Sequence, residues 1–212
     1  MFAIHQQLRP RVGAAFFVAL GGLLLGLSAC GPGSEESPTP GPASQELAQI
    51  RELDGGLYAP NVELPSVLLF VGRLCPISNA SVPELQRIIA DYAARGFDFR
   101  LVYTDRDDSL EELRLHRREF ELELPALLDF EQLLAQRYGV TVTPEVALVS
   151  VEGELVYRGR INDLYADFNL QRKQPRNHDL RLALDAVLAG EVPNPSRTEA
   201  VGCVLPDPAV GR

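Results

Sequence analysis

The sequence predicts an α/β fold: a three-layer sandwich around a mixed central sheet. Three observations carry this expectation. Val67 to Val71 is a continuous apolar, partly β-branched run, as expected of a strand covered on both faces. Helical and strand periodicities then alternate, which requires parallel strands joined by crossover helices. Later, two apolar runs flank Glu152-Gly153-Glu154 and read as an antiparallel hairpin. With 212 residues and 46% hydrophobic content, the chain can bury the core of one ordinary domain with extensions.

The elements follow in order. Ser44-Gln45-Glu46-Leu47 reads as the start of a short helix with Leu47, Ile50 and Leu53 on one face, ended by Gly55-Gly56. The buried strand Val67 to Val71 comes next. From Pro83 to Arg95, Leu85, Ile88, Ile89 and Tyr92 recur at helical spacing, and Gly96 supplies the stop. Phe97 to Tyr103, FDFRLVY, alternates apolar and polar as a strand does. Asp107 to Phe120 is a charged helix with Leu110, Leu113 and Phe120 on its apolar side; Phe130 to Tyr138 is a shorter one ended by Gly139. Val146 to Val151 and Leu155 to Arg160 form the hairpin, and Asn162 to Asn177 is a polar loop. His178 to Ala189 is a last amphipathic helix stopped by Gly190, and Glu191 to Arg212 is Pro-rich and irregular. No internal repeat is present.

The beginning of the chain reads as a targeting segment. MFAIHQQLRPR is short and basic, and the apolar run Val12 to Leu27 is shorter than the ~20 residues of a bilayer span but suits the h-region of a secretory signal. Leu27-Ser28-Ala29-Cys30 then resembles the lipobox of bacterial lipoproteins, which implies cleavage before Cys30 and lipid on it. The alternatives are an ordinary signal peptide, or an N-terminal anchor, with an incidental cysteine. GPGSEESPTPGPAS, Gly31 to Ser44, holds no apolar residue larger than Ala or Pro and reads as a flexible tether. In Gram-negative lipoproteins an Asp after the lipidated Cys often marks inner-membrane retention; Gly31 stands there, which leaves outer-membrane sorting open. The net charge of −9 argues against nucleic acid and against electrostatic binding of anionic lipid. Export allows disulfides to persist. With Cys30 lipidated, Cys75 and Cys203 remain and can form one bridge.

VLLFVGRLCPISNASVP, Val67 to Pro83, delivers Cys75 to a turn at the end of the first strong strand. This resembles the thioredoxin fold, where a buried strand ends in a turn and the redox cysteine opens the next helix. Pro83, eight residues after Cys75, matches that fold's helix-kinking proline, and Thr143-Pro144 before the hairpin matches its cis-proline dipeptide. The resemblance implies that Pro144 is cis and packs beside Cys75. CPISN, TPEVALVSVEGELVYRGRIND, a charged loop ending HDL, and TEAVGC narrow the likeness, over about residues 60–205, to a redoxin or AhpC/TSA-type, peroxiredoxin-like branch of exported bacterial proteins. That implies thiol–disulfide or peroxide chemistry, with no cofactor. Its partners would be a thiol or disulfide protein, a small thiol or a peroxide.

Free backbone N–H groups at a helix N-terminus stabilise a thiolate, so Cys75 is the expected nucleophile, with Arg73 adding positive potential. The plain alternative is an inert buried cysteine. Ser78 stands where a CxxC motif has its second cysteine. Cys75 then works alone through mixed disulfides or a sulfenic acid, or Cys203 resolves it. In a third reading the two form a structural staple in a non-catalytic binding or assembly module. Pro76, Ser78, Thr143 and Pro144 are the expected groove residues.

Peroxide reduction, the runner-up activity, lacks one support. Peroxiredoxins carry Pro and Thr seven and three residues before the reactive cysteine; Leu68 and Gly72 stand there instead. Arg158 or Arg160 in YRGR are candidate cations near the site, although Arg on a hairpin is more often solvated. Metal is not expected: Asn79 breaks the CxxxC spacing, His116 sits among Arg114, Arg117 and Arg118, and His178 begins the last helix. Asp105, Asp107 and Asp108 read as an acid-rich helix start rather than a Ca²⁺ site. The expected organisation is a lipoprotein signal peptide over 1–29, lipidated Cys30 with a flexible linker over 30–45, a thioredoxin-like domain over 46–193, and a tail over 194–212 carrying Cys203. The leading expectation is an exported thiol–disulfide oxidoreductase, lipid-anchored to the bacterial cell envelope on the periplasmic side or the cell surface.

Overall fold

In the computed structural model, which describes residues 47–208, the run from Val67 becomes the middle of the sheet. The expected signal peptide, Cys30 and tether lie outside the described residues. The elements in chain order are β1 (Arg51–Glu52), β2 (Ser66–Phe70), α1 (Pro76–Tyr92), β3 (Asp98–Tyr103), α2 (Leu110–Glu119), β4 (Ala126–Leu128), α3 (Leu133–Tyr138), β5 (Val142–Thr143), β6 (Glu145–Val149), β7 (Leu155–Gly159), β8 (Tyr165–Asp167), β9 (Leu170–Gln171), α4 (Asp179–Leu188) and β10 (Cys203–Val204). The main sheet runs β1-β4-β3-β2-β6-β7. Strands β2, β3 and β4 are mutually parallel, while β6, β7 and β1 join antiparallel. This is the mixed central sheet that the order of periodicities predicts.

Strand periodicity divides the core in two. Val67, Leu69 and Val71 face α1, α2 and α4, packing with Val82, Leu85, Ile88, Leu113, Leu180 and Leu184. Leu68 and Phe70 face the other way, with Leu134, Ala135 and Tyr138 of α3. Every residue of β2 is buried, which is why its sequence carries no polar alternation. The result is a three-layer sandwich.

Five local expectations are corrected. Leu47 is helical as expected, but the helix does not continue through Ile50 and Leu53, where Arg51–Glu52 form β1, paired with β4. Ile50 and Leu53 are three apart, which is one face of a helix but opposite faces of a strand. Accordingly, Ile50 joins the α3-side cluster and Leu53 the α1-side cluster. Strand β4 was hidden inside ELELPALLDF, because three residues are too few to show a period. The loop Asn162 to Asn177 contains the β8–β9 hairpin, and the irregular tail contributes β10. Helix α1 begins at Pro76 rather than Pro83, with proline in its first turn, where no N–H is needed. Pro83 lies inside it and offers no N–H to the Asn79 carbonyl. Among the described residues no helix is long and apolar enough to cross a membrane.

Candidate functional site

The turn after β2 places Cys75 as the N-cap residue of α1. Its N–H closes the turn onto Gly72 O at 3.1 Å. Its sulfur accepts from Ser78 N at 3.4 Å and donates to the Thr143 carbonyl at 3.0 Å. The residue is only 3% exposed. Ser78 does not line a groove. It is buried beneath the turn, where its hydroxyl accepts from Gly72 N at 3.1 Å. The residue that replaces a second CxxC cysteine therefore holds the turn in shape.

Thr143 and Pro144 are both buried against this turn, and the peptide bond between them is cis. Pro76 is exposed and does not line the cavity beside Cys75. Gly72 fits because it lacks a side chain: a Cβ there would lie 2.7 Å from Thr143 Oγ1 and 3.1 Å from Cys75 Cβ. The threonine of a peroxiredoxin would fit at this position only if the Thr143 hydroxyl turned aside.

The tail supplies the second sulfur. Strand β10 pairs antiparallel with β5, setting Cys203 opposite Thr143 and Val204 opposite Val142. Leu205 N donates to Thr141 O at 3.0 Å, and Gln132 Nε2 donates to Pro206 O at 2.5 Å. Both cysteines are free thiols. They share a cavity of about 140 Å³ with Gly72, Arg73, Asp108 and Thr143. Burial, and then the neighbouring Cys75 sulfur, push the Cys203 thiol well above its ordinary range. Gly202 permits the approach, since a Cβ there would overlap the backbone of Thr143.

The charged neighbours are already paired. Arg73 lies 2.6 Å from Asp108 and 3.2 Å from Glu112, so its charge is balanced locally. Burial raises the Asp108 carboxyl despite that partner. Neither hairpin arginine lines the cavity. Arg158 binds Glu145 and the Gly139 carbonyl, and Arg160 grips Asp179 with two hydrogen bonds. His178 caps α4 with no side-chain bond. Among the described residues no group of three or more His, Cys, Asp or Glu is placed to hold a metal.

Behind the turn runs a polar chain that the sequence did not announce. Asn79 Nδ2 donates to Arg73 O at 2.9 Å, leaving its carbonyl oxygen to accept from His116 Nε2, also at 2.9 Å. His116 Nδ1 therefore accepts from the Tyr103 hydroxyl at 2.8 Å. His116 is buried on α2, and burial, reinforced by Arg73, pushes its pKa down to about 4. Between that value and the ordinary one, the unfolded chain binds the proton and the native protein does not. The His116 contribution to stability is thus full above about pH 6.5 and declines as pH falls toward 4. Asp129, raised to about 6 chiefly by burial, acts in the opposite sense but is common to both proteins compared. The stability gap between wild type and His116→Gln, read from urea midpoints, is expected to narrow as pH falls from 7 to about 4.5. A gap independent of pH would contradict this.

Gly72, Gln132 and Gly202 were not singled out from the sequence as site residues. Glycine directly before cysteine in TEAVGC was the signal for Gly202, and glycine at the peroxiredoxin threonine position was the signal for Gly72.

A redoxin family model matches residues 63–167. The match spans Cys75, Ser78, Thr143 and Pro144 but stops short of the tail. None of the curated proteins compared matches the chain. Among solved structures, the chain is similar to an uncharacterized conserved protein from Geobacillus kaustophilus, with 24% identity, a TM-score of 0.64, and coverage of 74% of this chain and 86% of that one. It is also similar to a hypothetical protein from Sinorhizobium meliloti 1021, with 25% identity, a TM-score of 0.64, and coverage of 74% and 88%.

Proposed function

From residues 63–167, which are a redoxin domain on a thioredoxin fold, we propose that this chain is an exported thiol–disulfide oxidoreductase, anchored by lipid on Cys30, with Cys75 as nucleophile and Cys203 as resolving thiol. The observation that carries the reading is the β5–β10 pairing, which holds the second thiol against the first.

The chemistry divides between the two sulfurs. The Cys75 thiolate, held by the Ser78 N–H and the first turn of α1, attacks one sulfur of a partner disulfide. That S–S bond breaks, and the other partner sulfur leaves as a thiolate and takes a proton. Cys203 is a poor first nucleophile because its thiol is held high. Once Cys75 is bonded in the mixed disulfide its charge is gone, and one of the causes raising Cys203 disappears. Cys203 then loses its proton and attacks the Cys75 sulfur, releasing the second partner thiol. The partner disulfide gains two electrons and becomes two thiols, while Cys75 and Cys203 become a disulfide. A reducing dithiol returns them to the start. The space that Thr143 Oγ1 occupies beside Gly72 supports disulfide exchange over peroxide reduction.

Cys75→Ser is expected to lower insulin-disulfide reduction by at least about 10³-fold. Cys203→Ser should still form mixed disulfides and then stall. If a Cys75–Cys203 bridge resists mild reductant and neither insulin reduction nor peroxide consumption depends on Cys75, the oxidoreductase reading is wrong. Peroxide turnover without insulin reduction would move the assignment to a peroxidase. For the anchor, metabolic palmitate labelling is expected to vanish in Cys30→Ala, and labelling that persists would refute it.

A further inference from the structure

The tail is a strap with two unequal halves. Ser196 to Thr198 lie along the edge of β7, where Arg158 N donates to Ser196 O and Thr198 N to Arg158 O, each at 3.0 Å. The Thr198 hydroxyl accepts from Arg160 N at 3.1 Å and meets the Tyr157 hydroxyl at 2.7 Å. Gly159 leaves no room for a Cβ against Thr198, so this half is closely fitted. The far half is held by the two-residue β5–β10 ladder, by Leu205 and by Gln132. Val204 within it is 81% exposed and buries little. Underneath, Cys75 is sealed, so a protein disulfide reaches its sulfur only after the far half lifts.

We infer that β10 is a placeholder: an extended, cysteine-bearing segment of a disulfide-containing protein displaces it, pairs with β5 in its register, and carries glycine immediately before its cysteine. This rests on the thiol–disulfide reading and names the substrate class of the same site. Strand β5 presents one edge to the cavity, and Thr143 pairs with whichever residue brings a sulfur opposite it. In that register the preceding residue lies where Gly202 does. There a Cβ would overlap the Thr143 carbonyl and approach Pro144 N at 3.1 Å. The obstacle is backbone, which cannot rotate aside as a side chain can. Leu74, 72% exposed on the cavity rim, offers the incoming segment an apolar contact. When the strap returns, Cys203 attacks the Cys75 sulfur and the partner's cysteine leaves as a thiolate, so resolution and displacement of the partner are one event.

The test uses the full chain as reduced Cys203→Ser, so that the mixed disulfide persists. Two synthetic peptides, TEAVGCVL and TEAVVCVL, each carry their cysteine as a disulfide with thionitrobenzoate. Cys75 attacks the peptide sulfur, that S–S bond breaks, and coloured thionitrobenzoate leaves. The glycine peptide is expected to react at least about tenfold faster, a difference of about 1.4 kcal/mol. Rates are normalised to each peptide's reaction with free dithiothreitol. The symmetric dithiobis(nitrobenzoate), which needs no strand pairing, should react readily with Cys75. Equal peptide rates with a reactive small disulfide would overturn the placeholder and leave the oxidoreductase reading standing. A Cys75 inert to the small disulfide as well would overturn both.

Discussion

Gly202→Val is expected to lift the far half of the strap off β5. The added side chain would have to occupy the space of the Thr143 backbone, so the two-residue ladder separates rather than adjusts. Two readouts follow. In the reduced protein, Cys75 should be alkylated by iodoacetamide at least about tenfold faster, since the open population grows about tenfold for each ~1.4 kcal/mol lost from the closed state. Under mild oxidation, the yield of the Cys75–Cys203 disulfide should fall, because Cys203 no longer rests opposite Thr143. Peptide mapping by mass spectrometry measures both. Unchanged alkylation together with an unchanged disulfide yield would mean that the strap does not depend on the close approach at Gly202.

Phe70→Ala is expected to have the largest effect on stability. Phe70 is fully buried in the central strand, between Val102 of β3 and Glu145 of β6, and packs in the cluster that α3 covers. Truncating such a residue costs about 3–5 kcal/mol, against a total of roughly 5–15 kcal/mol for a domain. The melting temperature should drop by roughly 6–20 °C, as followed by circular dichroism. Because Val71 and Gly72 follow directly, the turn that presents Cys75 loses part of its support at the same time. A drop below about 3 °C would show that the surrounding core collapses onto the vacated space.

Much of the fold was legible in the sequence because its signals are local. Five apolar residues in a row marked β2, Gly96 and Gly139 marked helix ends in left-handed conformation, and Glu152-Gly153-Glu154 marked the hairpin. The order Cys75, Pro83, Thr143-Pro144 pointed to the turn and to the dipeptide packed against it. Elements too short for a period were illegible: β1, β4 and β10 are two or three residues long, and they form because a neighbouring strand edge is available. The helical spacing of Ile50 and Leu53 was misleading for the same reason, since pairing to β4 overrode it. The buried role of Ser78 and the Asn79–His116–Tyr103 chain were also invisible, because each depends on which backbone group a polar side chain meets after folding.

By itself the sequence determined a buried strand ending at a cysteine in a helix-capping turn, and a lone second cysteine on a Pro-rich tail. Hydrophobic periodicity and glycine stops are properties of neighbouring residues, so they can be read along the chain. Only the tertiary structure decided that Cys203 lies against Cys75. That outcome rests on a contact between residues far apart in sequence: two residues of ladder on β5, a glycine small enough to meet the Thr143 backbone, and a threonine that holds the strap against β7. None of these makes a periodic signal, and together they set the distance between the two sulfurs.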